Sequence, residues 1–388
     1  MLQNLARAAV SRRVAISLMA TAAALAATAA GTAAGTAAMA QTQPAQGPQK
    51  PPLKVGFVYV SPIGEAGWTY QHEQGRLELQ KALGAQVQTS YVEGVAEGAD
   101  SQRVIRDLAS QGHQLIFATS FGYLEPTLRV AADYPQVTFE HAGGYKTAAN
   151  VNTYNARYYE ARYLAGLLAG KTSRSGVAGY VAGFPVPEVV QGINAFALGM
   201  REANPKAEVR VLWLNTWFDP AREREAALTL INQGADVLTN HSGSPAVPQA
   251  AQDHYKDKGV RVIAYQGDFG KFAPDAQLAA ITSNWGAYYT QVARSVIAGT
   301  WQPRPVWGGL REGMVRLDAV DPKLAPELRK SIDAKRDAIV AGRFKPFAAP
   351  LVDNEGKTRL ASGALDDAQI SAMNWFVRGV VGSVPQAR

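Results

Sequence analysis

The sequence predicts an α/β protein of two Rossmann-like lobes, each built on a parallel sheet, joined by a hinge with a ligand cleft between them. Three observations predict this fold. Short apolar runs alternate with amphipathic helical patterns, as expected when helices cover both faces of a parallel sheet. Nine such runs exceed the strand number of one ordinary sheet. The 388 residues also suggest two domains, at about 100–200 residues per domain.

The predicted strands are short, apolar and bounded by turn residues. The first lies at 55–60 and ends in Ser61-Pro62, as a buried strand does. The others lie at 87–92, 115–120, 137–142, 176–182, 209–215, 237–241, 260–266 and 279–283. Between most of them, apolar residues recur at helical spacing over 68–83, 101–111, 124–133, 158–169, 188–203, 221–233, 246–258 and 287–298.

The chain is expected to change lobe near 151–157 and again near 283–286. The first lobe would then hold residues 53–155 plus about 284–310, and the second lobe residues 156–283. The remaining segment, 311–388, shows helical patterns at 326–341 and 366–379, which should pack back on the lobes.

Residues 1–40 have the pattern of a cleaved secretory signal peptide. Three arginines precede an apolar run at 14–30, and Ala38-Met39-Ala40 supplies a small-x-small cleavage pattern. A twin-arginine pair within this segment leaves Sec and Tat export both open. After cleavage, residues 41–52 would form a flexible lead-in, and the absence of Cys excludes the lipid anchor of a lipoprotein. We therefore expect a protein free in the periplasm.

The composition and motifs argue against several function classes. With no Cys and five His, there is little material for disulfides or metal sites, so no metal or cofactor is expected. The formal net charge of +7 would fall by three on loss of the leader, which is too mild to indicate a nucleic-acid partner. The chain contains no dinucleotide fingerprint, zinc-protease motif or nucleophile elbow. A monomeric binding protein is therefore favoured over an enzyme.

The candidate site lies in the loops that follow the strands. Ligands of open α/β sheets bind outside the carboxyl ends of the strands, and two lobes can bring those ends face to face. The loops at these positions are 61–68, 120–123, 183–185, 215–219, 241–243, 267–268 and 284–285. Their aromatic residues, Phe121 among them, and their few carboxylates suit a flat, neutral heteroaromatic ligand.

Several residues in these loops have both a structural and a ligand-binding interpretation. Trp217 and Phe218 are adjacent, so in an extended chain one points to the core and the other to the cleft. We favour Phe218 for the cleft and keep Trp217 as a candidate. Asp219 precedes Pro220 and is interpreted as the N-cap of the next helix. His241 either lines the cleft or is a satisfied core histidine.

Six motifs together point to one family: Trp217-Phe218-Asp219-Pro220-Ala221, Asn232-Gln233-Gly234-Ala235-Asp236-Val237, Tyr163-Leu164-Ala165-Gly166, Gly183-Phe184-Pro185-Val186-Pro187, Leu310-Arg311-Glu312-Gly313 and Met373-Asn374-Trp375-Phe376. In these motifs, and over residues 54–385 as a whole, the chain resembles the basic membrane protein family of periplasmic substrate-binding proteins, which serve ABC importers. The resemblance implies the type I periplasmic-binding-protein fold, a small-molecule ligand and separate permease subunits in the inner membrane. Several members of the family bind purine nucleosides.

The resemblance also implies roles for individual residues. Trp68 would stack on a base, and Glu65 in the same loop would accept an N–H from the edge of that base. Phe184, with Trp217 or Phe218, would cover the other face. Asp268 matches an acid that contacts polar groups of the ligand.

One departure from the family bears on the ligand. Where the family often has a sugar-contacting Lys, this chain has Asn284 and Trp285. This change favours a free nucleobase such as adenine over a nucleoside. Two alternatives stay open: a binding protein for a non-purine small molecule, and a secreted nucleoside hydrolase that uses Glu65 and Asp268 as a carboxylate pair.

Overall fold

The computed structural model describes residues 51–385. The predicted signal peptide, residues 1–40, and residues 41–50 of the lead-in lie outside the described residues. The strands are β1 (Leu53–Val58), β2 (Val87–Val92), β3 (Leu115–Ala118), β4 (Thr138–Ala142), β5 (Val151–Ala156), β6 (Val177–Ala182), β7 (Glu208–Trp213), β8 (Val237–His241), β9 (Arg261–Tyr265), β10 (Gln277–Ser283), β11 (Val306–Gly308), β12 (Val315–Asp318), β13 (Leu351–Val352), β14 (Thr358–Leu360) and β15 (Val380–Val381).

The α-helices alternate with the strands over most of the described chain. They are α1 (Trp68–Leu83), α2 (Ala99–Ser110), α3 (Leu124–Asp133), α4 (Tyr158–Thr172), α5 (Pro187–Ala203), α6 (Pro220–Asn232), α7 (Ala246–Asp253), α8 (Tyr255–Lys258), α9 (Trp285–Ile297), α10 (Pro326–Val340) and α11 (Asp367–Ser371).

The chain forms two Rossmann-like α/β lobes, which confirms the predicted fold class. The first lobe is built on a six-stranded sheet in the order β11-β5-β4-β3-β1-β2, in which every pair is parallel. The second lobe is built on a seven-stranded sheet in the order β12-β10-β9-β8-β6-β7-β15. That sheet is parallel except where its edge strand β12 runs antiparallel to β10.

The chain passes between the two sheets at three places. It crosses at Arg157 between β5 and α4, at Asn284 between β10 and α9, and at 309–314 between β11 and β12. Helix α9 then packs on α1 in the first lobe, while α4 packs on α5 in the second. The cleft between the lobes is therefore bounded by three chain segments.

The α4–α5 pair is packed unusually closely, and this packing positions part of the site. A Cβ on Gly166 of α4 would collide with the carbonyl oxygen of Phe196 in α5. A Cβ on Gly199 would collide in the same way with the carbonyl oxygen of Tyr163. Glycine is required at both positions because the two backbones touch. This packing fixes the position of α5, whose first turn carries Glu188 to the cleft between the lobes.

The tail differs from its predicted structure. The helix expected at 366–379 is only the short α11, capped by a reciprocal pair of bonds between Asp366 and Gln369. Beyond it, the Asn194 side chain bonds the carbonyl oxygen of Trp375 and the N–H of Val377. These bonds hold the chain in a non-helical path that leads into β15.

Candidate functional site

A cavity lies between the carboxyl ends of the two sheets. It holds about 610 Å³ of atom-free space, the open mouth included. Its lining residues are Val60, Ser61, Trp68, Ser120, Phe121, Ala142, Gly143, Val186, Glu188, Trp217, His241, Ser242, Gly243, Tyr265 and Gln266. Each of them ends a strand or follows one, as the rule for open α/β sheets requires.

Aromatic rings form walls of the cavity in both lobes. Trp68 lies at the start of α1, and its indole N–H donates to the carbonyl oxygen of Thr119 at 2.6 Å. Trp217 comes from the loop after β7, where the absence of a side chain on Gly183 makes room for its indole. Phe184 packs on the edge of that indole, with 4.9 Å between the ring centroids. A flat ligand in this cavity would therefore meet indole rings from both lobes.

The free polar groups of the cavity are concentrated on the wall of the second lobe. The Tyr265 hydroxyl, Gln266 Nε2 and His241 Nδ1 are buried and have no hydrogen-bond partner within residues 51–385. By contrast, the hydroxyl groups of Ser61, Ser120 and Ser242 already bond other side chains, at 2.6–2.8 Å.

Gln266 has a backbone conformation that only the tertiary contacts explain. Its φ is 61°, in the left-handed region that a residue with a side chain seldom adopts. Its N–H donates to the carbonyl oxygen of Ile281 and its own carbonyl oxygen accepts from the N–H of Gly67, each at 2.8 Å. Strained residues of this kind are often found at binding sites.

Glu188 is a carboxylate on the cavity wall that connects the lobes. It lies in the first turn of α5, where the helix dipole favours a negative charge. Its Oε2 accepts from Asn155 Nδ2 of the first lobe at 2.7 Å. Its Oε1 lies 3.4 Å from His241 Nε2. Burial lowers the pKa of His241, an effect that the neighbouring carboxylate partly offsets, so this imidazole is neutral near pH 7.

A second carboxylate, Glu97, joins the lobes from the other side. It follows β2 in the first lobe, and its Oε1 accepts from the Ser120 hydroxyl at 2.6 Å and from the Gly122 N–H at 2.8 Å. The same oxygen accepts from the indole N–H of Trp217 in the second lobe at 3.1 Å. Glu97 therefore holds in place an aromatic ring that lines the cavity.

The loop before α1 also touches the second lobe. The N–H of Gly67 bonds Gln266, and a Cβ at Gly67 would collide with the carbonyl oxygen of Gly243. Glu65 forms an ion pair with Lys271 across the lobes. In this structure the lobes are thus in contact around the cavity.

Two carboxylates expected at the ligand lie elsewhere. Glu65 is 59% exposed and paired with Lys271, outside the cavity lining. Asp268 is also exposed, and it accepts from the Gly270 N–H at 2.8 Å and from Gln277 Nε2 at 2.7 Å. These bonds give Asp268 a local role in shaping its loop. The structure therefore does not bring the two carboxylates of the hydrolase alternative to the cavity.

Asn284 and Trp285 also lie away from the cavity. Asn284 precedes α9 and lines a surface groove beside α1. Trp285 is 1% exposed, and its ring stacks on His72 with 5.3 Å between centroids. Both residues follow a strand, but the chain crosses at this point to the first lobe, and α9 packs Trp285 into the core against α1.

The remaining predicted residues lie at or beside the cavity. Trp68, Phe121 and Trp217 line it, and Phe184 supports Trp217 from behind. Phe218 is half-buried and packs against Gly243 outside the lining. In this structure Trp217, and not the favoured Phe218, lines the cavity. Asp219 caps α6 as predicted, since its side chain accepts from the Arg222 N–H at 3.1 Å.

Sequence reasoning missed Glu97, Glu188, Tyr265 and Gln266. Glu97 could have been found, because its loop follows β2 in the same way that the other site loops follow their strands. Glu188 could not, since an acid in the first turn of a helix is equally expected for stability alone. Tyr265 and Gln266 were assigned to the preceding strand, which ends at Tyr265.

Residues 51–385 show features of neither a membrane-spanning helix nor a metal-binding cluster. Across residues 51–385, none of the helices combines the length and apolar character needed to span a membrane. Over the same residues, there is no cluster of three or more His, Cys, Asp or Glu side chains arranged to hold a metal ion.

Comparisons with known proteins agree with this architecture. The family model described as ABC transporter substrate-binding protein, PnrA-like, matches residues 53–345. A purine-binding protein of Brucella abortus is 46% identical over 335 residues, which cover 86% of this chain and 94% of that protein. A candidate ABC transporter glucose-binding protein of Haloferax volcanii is 37% identical over 333 residues, which cover 86% of this chain and 81% of that protein.

A solved structure supports the fold. An ABC transporter solute-binding protein from Aeropyrum pernix superposes with a TM-score of 0.65 at 18% identity, and the match covers 77% of this chain and 94% of that one. At this level of identity the likeness shows the fold alone.

Proposed function

This chain belongs to the PnrA-like family of ABC transporter substrate-binding proteins, and we propose that it binds a purine nucleobase, adenine in preference to a nucleoside. The observation that carries this proposal is a cavity with indole rings from both lobes and free polar atoms on one wall. A purine base has two apolar faces and a polar edge that match this arrangement. The name of the Brucella abortus relative points to the same class of ligand.

The distribution of polar groups favours a base over a nucleoside. A ribose would bring several hydroxyl groups, each needing a partner once water is excluded. The hydroxyl groups of Ser61, Ser120 and Ser242 already bond protein groups. The free polar atoms that remain lie together on the second lobe, which suits a ligand with a single polar edge.

Closure of the lobes would couple binding to transport. A ligand held by Trp68 of the first lobe and Tyr265 of the second interacts better with the closed form than with an open one. It therefore shifts a hinged equilibrium toward closure. The bonds of Glu97 and Glu188 across the cleft would form at the same step. The permease subunits of an importer in the inner membrane would then bind the closed protein, which would act in the periplasm as a monomer.

The test is thermal unfolding of the mature protein, refolded to remove any co-purified ligand. Adenine, guanine, hypoxanthine, xanthine, their nucleosides and glucose are each added in excess. A ligand at about 100 times its Kd raises the free energy of unfolding by about 2.7 kcal/mol, so the Tm should rise clearly with bases. Chromatography of the recovered ligand shows whether nucleosides are cleaved, and light scattering gives the oligomeric state.

Each alternative has its own result in this test. A shift with intact nucleosides and none with bases would replace the nucleobase by a nucleoside. A rise in Tm with glucose alone would overturn the purine assignment and favour glucose, the ligand in the name of the Haloferax volcanii relative. Recovery of free base from a nucleoside would establish the hydrolase. Trp68→Ala should abolish the shift and Trp68→Phe should retain part of it, because phenylalanine keeps an aromatic face.

A further inference from the structure

The polar wall of the second lobe has a defined pattern of hydrogen-bond donors and acceptors. His241 Nδ1, the Tyr265 hydroxyl and Gln266 Nε2 are buried without a partner among residues 51–385. Buried polar groups are rarely left unpaired in proteins. All three residues line the cavity, so a ligand that enters it lies next to the side chains that carry these atoms.

Contacts within the protein assign a direction to each group. Gln266 Oε1 accepts from the Ser283 hydroxyl at 2.7 Å, so its Nε2 is left as a donor. His241 Nε2 faces Glu188 Oε1, and a neutral imidazole with its proton on Nε2 leaves Nδ1 as an acceptor. Glu188 itself, as a carboxylate, only accepts. The wall therefore presents acceptors at Glu188 and His241 beside a donor at Gln266.

A buried cation, Arg162, packs against the Tyr265 ring of this wall. Arg162 is fully buried, and its guanidinium lies 3.7 Å from the centroid of the Tyr265 ring. It donates to Thr239 Oγ1 at 2.9 Å and to the carbonyl oxygen of Asn240 at 2.7 Å. Burial raises the pKa of Tyr265 most, Glu188 raises it further, and Arg162 partly offsets both effects. With a cation already in place, the site does not need a cationic ligand.

A hydrogen bond from Asn155 of the first lobe holds the Glu188 side chain in position. Asn155, the donor to its Oε2, lies in β5, and its own Oδ1 accepts from the N–H of Ala156 at 2.8 Å. Gly143, with a φ of 73°, lies beside both side chains. A Cβ placed on it would be 3.7 Å from Glu188 Oε2. Separation of the lobes would break the bond between Asn155 and Glu188.

We infer that Glu188 and His241 select a neutral ring with an amino group beside a ring nitrogen, and that Asn155 makes this selection depend on contact between the lobes. The inference rests on the proposed purine site and defines its specificity. The amino group donates to Glu188 or to His241 Nδ1, while the adjacent ring nitrogen accepts from Gln266 Nε2. A ring with an oxo group at that position places an acceptor against the carboxylate and is rejected.

The experiment is titration calorimetry of the full mature chain with adenine, unsubstituted purine and hypoxanthine. Adenine and purine differ only by the amino group. We expect adenine to bind at least about tenfold more tightly than either, as a hydrogen bond to a charged group implies. Glu188→Gln replaces one carboxylate oxygen by an NH2 donor and removes the negative charge, so adenine binding should weaken and the ratio of adenine to hypoxanthine affinity should fall to about three or below. Asn155→Ala should lower the same ratio while leaving the Glu188 side chain intact.

The ratio separates specificity from structural damage. Glu97→Ala removes a carboxylate that touches protein groups only. It should weaken the binding of adenine and of hypoxanthine by the same factor, so the ratio of the two affinities stays unchanged. Equal binding of adenine and purine by the wild type, or an unchanged ratio in both Glu188→Gln and Asn155→Ala, overturns the inference while the purine site stands. Binding of no purine by the wild type overturns the proposed function, and the inference with it.

Discussion

The bond between Glu97 and the Trp217 indole offers a direct test of how the two lobes hold a ligand. Glu97 Oε1 accepts from the indole N–H at 3.1 Å, across the cleft. Two perturbations break this bond from opposite sides. Trp217→Phe removes the donor but keeps an aromatic ring on the cavity wall. Glu97→Ala removes the acceptor and leaves the ring unchanged.

The structure bounds the size of the effect. A hydrogen bond to a charged group contributes about 1.5–3 kcal/mol. The lower end applies here because Glu97 keeps its bonds to Ser120 and Gly122 when the lobes separate, so the carboxylate is never left unpaired. We therefore expect a coupling of about 1.5 kcal/mol, equivalent to roughly a tenfold change in Kd. It should appear mainly as faster dissociation, because the bond forms after the first encounter.

The assay is a double-mutant cycle, with the Kd of adenine measured by calorimetry and its dissociation rate by stopped flow. Trp217→Phe should weaken binding by about tenfold more in the wild-type background than in Glu97→Ala. Phe184→Leu provides the matched control, since Phe184 packs on Trp217 with 4.9 Å between centroids but makes no bond to Glu97. Its effect should add to that of Glu97→Ala.

Additivity would refute this reasoning. If Trp217→Phe and Glu97→Ala change the binding free energy independently, to within about 0.4 kcal/mol, the bond between the lobes contributes nothing to ligand retention. A coupling of the same size in the Phe184→Leu control would show that loop disturbance, and not the bond, produces the effect.

Two further predictions concern the first lobe. Glu140 is fully buried, and burial raises its pKa from 4.5 to about 7. The unfolded chain therefore releases this proton at a lower pH than the folded protein does. As pH rises from 4.5 to 7, the free energy of unfolding should fall by about 3 kcal/mol relative to that of Glu140→Gln. Urea unfolding across that range measures the difference, and parallel pH profiles would contradict it. Gly67→Ala should weaken adenine binding by at least about tenfold, because the new methyl group collides with Gly243. Gly64→Ala in the same loop is the control: φ at Gly64 is 59°, and the nearest atom to a Cβ placed there is 3.8 Å away, so this variant should bind adenine nearly as the wild type does. Calorimetry gives the Kd of adenine for both variants. Equal losses of affinity would show that backbone strain, and not the collision with Gly243, causes the effect.

Local patterns were sufficient for most of the secondary structure. The predicted bounds of α1, α3, β2 and β8 match those of the structure. The reason is that a buried parallel strand is apolar on both faces and an amphipathic helix repeats every 3.6 residues, so both carry their signal in adjacent residues. Strand β5 is not predicted by the sequence, because its polar residues Asn152 and Asn155 interrupt the apolar run; in the fold the side-chain amide NH2 groups of both residues donate to carboxylate oxygens.

The candidate site was predictable only where position along the chain determines position in space. Trp68, Phe121 and Trp217 follow strands and reach the cavity for that reason. Trp285 also follows a strand, yet it is buried on His72, because the chain crosses between lobes there. The direction in which a chain leaves a strand depends on the packing of α9 against α1, which has no signature in the residues around position 285.

The sequence by itself determined that the protein has two α/β lobes, that aromatic loops follow the strands, and that Asp219 begins a helix. The tertiary structure alone decided which carboxylates face the cavity. Glu188 does, and Glu97 holds the Trp217 ring that lines it, while Glu65 and Asp268 bond other groups outside it. The physical reason is that the partners of a carboxylate are distant in sequence: 120 residues separate Glu97 from Trp217, and 33 separate Asn155 from Glu188. Such pairs form only once both lobes have folded and come together.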